Sequence, residues 1–176
     1  MTSVVVSNVL IMNGIQWASV FGLLLSFYAL YVEHQAVAMP GYKAACDIES
    51  LGVSCSKVFK SKYGRMMSYF GVVPNGHALD QPNAVLGIAF YGIALLLPKM
   101  KFIPKGVRTL GMWLASCVSC ASSAWLGYIL VNVLHDICIV CVSTYVVNAI
   151  IFFFSTRELL CGSKKAEERV RKAKGD

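Results

Sequence analysis

Charge is what this sequence has least of. Only 14% of its 176 residues are charged, against 57% hydrophobic, where a water-soluble globular domain carries about 25% charged residues. The shortage excludes an ordinary soluble fold, and the wealth of apolar side chains excludes a disordered chain. Residues 1–32 carry no charge at all. A basic opening and a small-residue cleavage site are both missing, so the first apolar segment is expected to be a retained transmembrane helix rather than a signal peptide. Histidines number three and lie scattered, which with the lack of a second strong ligand pair weighs against zinc. No Asn-x-Ser/Thr acceptor occurs, so glycosylation offers no marker of topology.

What is present falls into apolar runs. A bilayer core is about 30 Å thick and takes about 20 apolar residues to cross as a helix. Spans are expected at about 9–32, 84–98, 109–134 and 137–156, which gives an all-α membrane protein with a four-transmembrane-helix bundle. The third span is rich in small residues, among them Gly111, Ala115, Ser119, Ser122, Ser123 and Gly127. Small residues let helices approach closely, so this helix is expected inside the bundle. Segment 33–83 is the one long hydrophilic stretch, yet Val58, Phe59, Met66, Met67, Tyr69, Phe70 and Val72 interrupt it. That mixture predicts a folded cap with a half-helix at the interface.

The net charge of +7 gathers in the loop 99–108 and the tail 157–176. Beside apolar runs, such clusters mark the cytoplasmic side and argue against a nucleic-acid partner. Both termini are then cytosolic. Segment 33–83 and the His135-Asp136 turn face a lumen or periplasm, where disulfides persist.

Seven cysteines include two C-x-x-C pairs. Cys117 and Cys120 would lie roughly 14–18 Å into the membrane at 1.5 Å per residue beyond Arg108. There they read as small hydrophobes packing a helix interface. Cys138 and Cys141 follow His135-Asp136 and open the last span, with Asp136 as the expected N-cap. A helix N-terminus favours thiolate, and the i,i+3 spacing puts both sulfurs on one face, so this pair is the expected redox dithiol. Cys46 and Cys55 share its compartment. They read equally as a static staple or as an electron relay by thiol–disulfide exchange. Cys161 stands alone near the tail.

A dithiol at the edge of a bilayer calls for a lipid-soluble partner, and a quinone fits. Polar side chains in a dry pocket would orient its oxygens. Asn83, opening the second span, and Tyr145, one turn below Cys141, are the candidates by position; a helix cap and an ordinary buried tyrosine are the alternatives.

Cys138-Ile-Val-Cys141 with Val-Ser-Thr-Tyr145, Ala45-Cys46-Asp47 with Ser54-Cys55-Ser56-Lys57-Val58-Phe59, and Asp80-Gln81-Pro82-Asn83 together resemble the vitamin K epoxide reductase family. The similarity runs over about 19–157. It implies an endoplasmic reticulum membrane protein with a lumenal cap over a quinone pocket. The implied activity reduces vitamin K 2,3-epoxide to the quinone, and the quinone to the hydroquinone, in support of glutamate γ-carboxylation. No tightly bound cofactor or metal is implied. Cys141 would attack substrate and Cys138 resolve the adduct; Cys55 and Cys46 would relay electrons from a lumenal thioredoxin-fold reductant. Asn83 and Tyr145 would hydrogen-bond the substrate, with Phe59 and Phe90 against its ring, and coumarin-type inhibitors such as warfarin would bind there.

The sequence also departs from that pattern. Leu86 stands where an aromatic pocket residue is expected. Eight residues separate Cys46 from Cys55, about one more than in the best-known animal member. Cys117 and Cys120 take no role from the resemblance. The end Lys172-Ala-Lys174 is similar to a dilysine retrieval signal. The same parts run in reverse would make a quinone-coupled disulfide generator.

Overall fold

The structure, a computed structural model, describes the backbone of residues 2–39, 41–47, 54–74, 77 and 80–174. Side chains are described from residue 11 onward within these, apart from 57, 60, 62 and 163–174. The dilysine-like end therefore lies outside the described side chains, as does part of the cap at 48–53.

Among the described residues, six α-helices make up the fold and no strand occurs. Helix α1 runs Thr2–Ala38, α2 Cys55–Lys60, α3 Met66–Tyr69, α4 Asn83–Leu96, α5 Lys105–Ile129 and α6 Ile139–Lys174. A 3₁₀ turn, Leu97–Lys99, extends α4, and a π-helical turn, Leu130–Leu134, extends α5. Among the described residues, three segments are long and apolar enough to cross a membrane: Ile11–Ala38, Lys105–Leu134 and Ile139–Gly162. Asn83–Lys99 is apolar but shorter. Helix α1 begins before the expected start at 9 and passes the expected end at 32. Helix α6 continues beyond 156 through the segment expected as a polar tail.

The bundle is built inside out relative to a soluble protein. On α1 the large apolar side chains Trp17 (76% exposed), Phe21, Leu24, Phe27 and Tyr31 point outward, while Ser19 and Ser26 are buried. The Ser19 hydroxyl donates to the Ile15 carbonyl at 2.7 Å, which removes its need for water. A continuous exposed apolar face of this size suits lipid rather than water. Helix α1 packs against α4 and α6, and α5 packs against α6. Two clusters form the interior. Val32, Ala44, Cys55, Ala84, Leu130, Cys138 and Val140 fill the end toward the cap. Ile11, Ile15, Tyr91, Ala94, Met112, Val147 and Ile151 fill the other.

One expectation is overturned. Helix α5 does not sit inside the bundle: it is the least buried of the three long spans, and Leu110, Leu114, Val118, Trp125 and Tyr128 face outward. Its small residues serve a different purpose. Ala115, Ser119, Ser122 and Ser123 line a cavity bounded also by α1, α4 and α6. They withhold side-chain volume from the interior, so the space stays open.

Segment 63–80 is tied to the start of α4 by polar contacts. Arg65 donates to the Asp80 carbonyl at 2.8 Å and lies 3.6 Å from the Asp80 carboxylate. The Asn83 amide, at the start of α4, donates to the Tyr63 carbonyl at 2.8 Å and accepts from the Met66 N–H at 2.9 Å. Rings of Tyr63, Tyr69, Phe70 and Trp125 touch in succession, carrying this segment onto α5.

Candidate functional site

Local geometry brings two of the cysteines together. Ser54 N–H donates to the Ile137 carbonyl at 2.9 Å, so the residues that follow, Cys55 and Cys138, meet. The Cys138 and Cys55 sulfurs are 3.6 Å apart and both residues are fully buried. On the other side Cys141 Sγ lies 2.6 Å from Cys138 Sγ. Cys46 lies beyond Cys55: its sulfur, the Cys55 sulfur and the Asp47 carboxylate lie within 4.8 Å of one another. The four sulfurs thus form a line in the order Cys141, Cys138, Cys55, Cys46.

Asp136 is not the N-cap of α6, and this corrects the expectation above. His135 takes a left-handed conformation, φ 51°, and the Ile137 carbonyl is tied across the chain to the Ser54 N–H. The helix therefore opens later than the His-Asp turn, at Ile139. Cys138 itself occupies the cap: its carbonyl accepts the first helical bond from Val142 at 3.0 Å, and its sulfur accepts the Cys141 N–H at 3.3 Å. A thiolate at that position meets the free N–H groups and positive end of the helix.

Asp47 has a role that its place in the sequence does not announce. Its carboxylate accepts the Ala44 N–H at 2.9 Å, the Ser56 N–H at 3.1 Å and the Ser56 hydroxyl at 2.5 Å. It caps α2 from across the loop, in place of Ser54, whose side chain makes no capping bond. Burial works against its ionised form, but the bonds from Ser56 and Ala44 prevail and hold the carboxyl below its usual range. The signal was an acid beside one cysteine and a serine beside the other.

The same packing suppresses ionisation of the loop thiols. Burial, then the contact with Cys55, pushes Cys46 from 9.0 up to about 12, although a bond with the Tyr28 hydroxyl opposes the shift. The contact with Cys138, then burial, pushes Cys55 upward as well. Cys46, Asp47 and Cys55 are grouped tightly enough to surround an ion. However, the Asp47 oxygens are already engaged by three donors, and two sulfurs fall short of the four ligands of a closed zinc site.

Beside the sulfur line lies a cavity of about 530 Å³. Of the four aligned cysteines only Cys141 is on its wall, and Asn83, Tyr145, Phe59, Phe90 and Leu86 all line it. Asn83 commits one oxygen lone pair to the Met66 N–H and one N–H to the Tyr63 carbonyl, which leaves a second acceptor site and a second N–H in its hydrogen-bonding capacity. The Tyr145 hydroxyl makes no hydrogen bond among the described residues. A polar floor closes the far end. Tyr91 donates to the Asn148 carbonyl oxygen at 2.7 Å, and the Asn148 amide donates to Ser123 at 2.8 Å. The Ser123 hydroxyl donates to the Ser119 carbonyl at 2.9 Å. Cys117, Cys120 and Cys161 are not on the cavity wall, and His135 is exposed.

Residues 15–156 match the model of the vitamin K epoxide reductase family. The chain is 38% identical over 161 residues to the rat protein named vitamin K epoxide reductase complex subunit 1, covering 86% of this chain and 88% of that one. It is 36% identical over 148 residues to the mouse protein of the same name, covering 78% and 84%. A line of four sulfurs ending on the wall of an apolar cavity is thus found in a chain that belongs to the vitamin K epoxide reductase family.

Proposed function

We propose that this chain reduces vitamin K 2,3-epoxide to the quinone, and the quinone to the hydroquinone, with Cys138 and Cys141 as the electron-donating dithiol. The order of the sulfurs carries the reading: one faces the cavity, the next is buried behind it, and two more lead away toward the cap. The Cys141 thiolate attacks the ring carbon and forms a carbon–sulfur bond, while the epoxide C–O bond opens or, in the quinone, the π pair moves onto a carbonyl oxygen, each resulting oxyanion taking up a proton released by the thiols. The Cys138 thiolate then attacks the Cys141 sulfur, making the disulfide and expelling the ring with the electron pair. For the quinone, two electrons and two protons give the hydroquinone. For the epoxide, the oxygen leaves as water.

Recharging runs along the same line. Cys55 attacks Cys138, freeing Cys141, and Cys46 then attacks Cys55, freeing Cys138. A lumenal thioredoxin-fold dithiol reduces the resulting Cys46–Cys55 disulfide. Asn83 and Tyr145 hydrogen-bond the ring oxygens, while Phe59, Phe90 and Leu86 pack its faces. Coumarin-type inhibitors compete for the same space. The short apolar helix Asn83–Lys99 serves as the fourth span, and the cap lies on the lumenal side of the endoplasmic reticulum membrane with both termini cytosolic.

The test is purified chain with dithiothreitol and the epoxide. Formation of quinone and hydroquinone, and a trapped Cys55–Cys138 linkage by mass spectrometry, is the expected result. Oxidation of a thiol protein by added quinone, with no epoxide consumed, would assign the chain to disulfide generation instead.

A further inference from the structure

The line of sulfurs has a tyrosine at each end. Tyr145 stands with Cys141 on the cavity wall, and Tyr28 of α1 stands beside Cys46 at the other end. Leu25, Tyr28, Ala29 and Val32 recur on one face of α1, and all four belong to or pack against the buried cluster of Cys55 and Cys138. Phe27 and Tyr31 on the same helix face outward. Tyr28 is not on the cavity wall. A tyrosine packed on a core takes a partner for its hydroxyl, and here the partner is the Cys46 sulfur. Burial, Cys55 of α2 and the Asp47 carboxylate oppose ionisation of that sulfur, whereas the Tyr28 hydroxyl favours it. Tyr42, on the same loop, lies near enough to act on it through charge. A hydroxyl that donates to sulfur favours thiolate over thiol, because the charged acceptor makes the stronger bond.

We propose that Tyr28 is a positioning residue of the relay, whose hydroxyl donates to the Cys46 sulfur whenever that sulfur carries the free electron pair. This rests on the relay reading of Cys46 and Cys55. Cys46 is in that state twice in each cycle. As nucleophile, its thiolate attacks Cys55 Sγ and the Cys55–Cys138 bond breaks. Cys138 leaves with the pair and receives the proton that Cys46 gave up. As leaving group, Cys46 departs from the thioredoxin-fold donor. The donor thiolate attacks the Cys46 sulfur first, because Cys46 is partly exposed and Cys55 fully buried, and Cys55 leaves. The donor's second thiolate then closes the donor disulfide and expels Cys46. Two electrons and two protons pass from the donor to the loop pair. In both roles Tyr28 offsets the burial that otherwise keeps charge off this sulfur.

Tyr28→Phe removes the hydroxyl and keeps the ring. Loss of one charge-assisted bond lowers the thiolate fraction about tenfold at a given pH. The more basic sulfur is intrinsically more nucleophilic, which recovers about threefold. Iodoacetamide labelling of Cys46 in the fully reduced chain should therefore slow about threefold throughout the range of about pH 8 to 9.5. Turnover with the thioredoxin-fold donor should fall by a similar factor, while turnover with a membrane-penetrating dithiol stays native. Tyr42→Phe, which removes a neighbouring hydroxyl bonded to Tyr31 instead, should label at the native rate. A mere packing role predicts the opposite sign, because a loosened loop exposes the sulfur and speeds labelling. Labelling of a folded Tyr28→Phe chain at or above the native rate overturns the assignment. Equal slowing in Tyr42→Phe, or slowed labelling with protein-driven turnover unchanged, overturns it as well. If Cys46→Ala leaves protein-driven turnover intact, the relay reading itself fails.

Discussion

The two C-x-x-C pairs share spacing, helix location and a partly apolar setting, yet the fold uses them differently. Cys117 and Cys120 lie within α5, where a helix rises 1.5 Å per residue and every N–H is already bonded to a carbonyl. Cys138 and Cys141 begin α6, where one sulfur can take the place of a capping oxygen and draw the other to 2.6 Å. A third sulfur, on Cys55, is held beside them by a backbone bond between the neighbouring residues. On the function proposed, a dithiol is made by its place at a helix start and by what crosses over to meet it. Spacing alone is insufficient.

Removing the sulfur on the cavity wall should break that distinction most severely. Cys141→Ala is expected to lower epoxide turnover by at least about 10³-fold, even with dithiothreitol as reductant, because the proposed nucleophile is lost. Steady-state product formation by chromatography measures it. Turnover within tenfold of native would mean that another sulfur attacks.

Cys46→Ala or Cys55→Ala should divide the result by reductant. With a thioredoxin-fold protein as donor, turnover should fall about 100-fold. With a membrane-penetrating dithiol that reaches Cys138 directly, it should remain within about threefold. Equal losses with both donors would make the loop pair a staple, the alternative that spacing left open.

The pH dependence of the loop thiols sharpens the comparison further. Only thiolate reacts, and burial with the Cys55 contact holds Cys46 protonated up to about 12. Its alkylation rate in the reduced chain should therefore climb about tenfold per pH unit. The climb should continue through pH 9.5, where an ordinary cysteine near 8.5 has levelled off. Residue-resolved mass spectrometry follows it. A plateau by pH 9 would mean that the thiol is not withdrawn from water as the fold requires.

Much of this was legible in the sequence, for reasons that local chemistry explains. Apolar runs locate the long helices because each residue votes independently for lipid. Asn83, Tyr145 and Cys141 reach one cavity because all three sit on helices whose phase the sequence fixes once the starts are known. What was not legible depends on contacts between distant segments. The Asp136 cap failed because Ile137 is tied across to Ser54 and the helix opens only at Ile139, a bond invisible to local reading. Helix α5 was misplaced because small residues can serve two ends. They admit a neighbouring helix or they leave room for a ligand, and only the arrangement of α1, α4 and α6 decides between them.

Asp47 is the residue that ties the loop sulfurs to one frame, and its removal should give an intermediate effect. Asp47→Asn keeps one acceptor oxygen but turns the other into an amide, which faces the Ala44 N–H or the Ser56 N–H with a donor of its own. Loss of such a cap costs about 1 kcal/mol of stability. Turnover with the protein reductant should fall about fivefold, because α2 no longer holds Cys55 in register with Cys46. Turnover with the small dithiol should hold. A thermal shift without the reductant-dependent loss would reduce Asp47 to a structural cap.

The smallest effect belongs to the pair that resembles a redox motif and lacks its surroundings. Cys117 and Cys120 are partly buried on α5, and neither lines the cavity. Replacing both with alanine removes two small side chains from a helix whose propensity alanine improves. Turnover with either reductant is expected to stay within about twofold, and the melting temperature to change by only a few degrees. The double variant also isolates the line of sulfurs, since any disulfide then trapped during turnover must come from Cys46, Cys55, Cys138, Cys141 or Cys161. A fall in turnover with both reductants, larger than the loss of stability explains, would show that the helix interior takes part in electron flow. The contrast between helix start and helix middle would then no longer separate the two pairs.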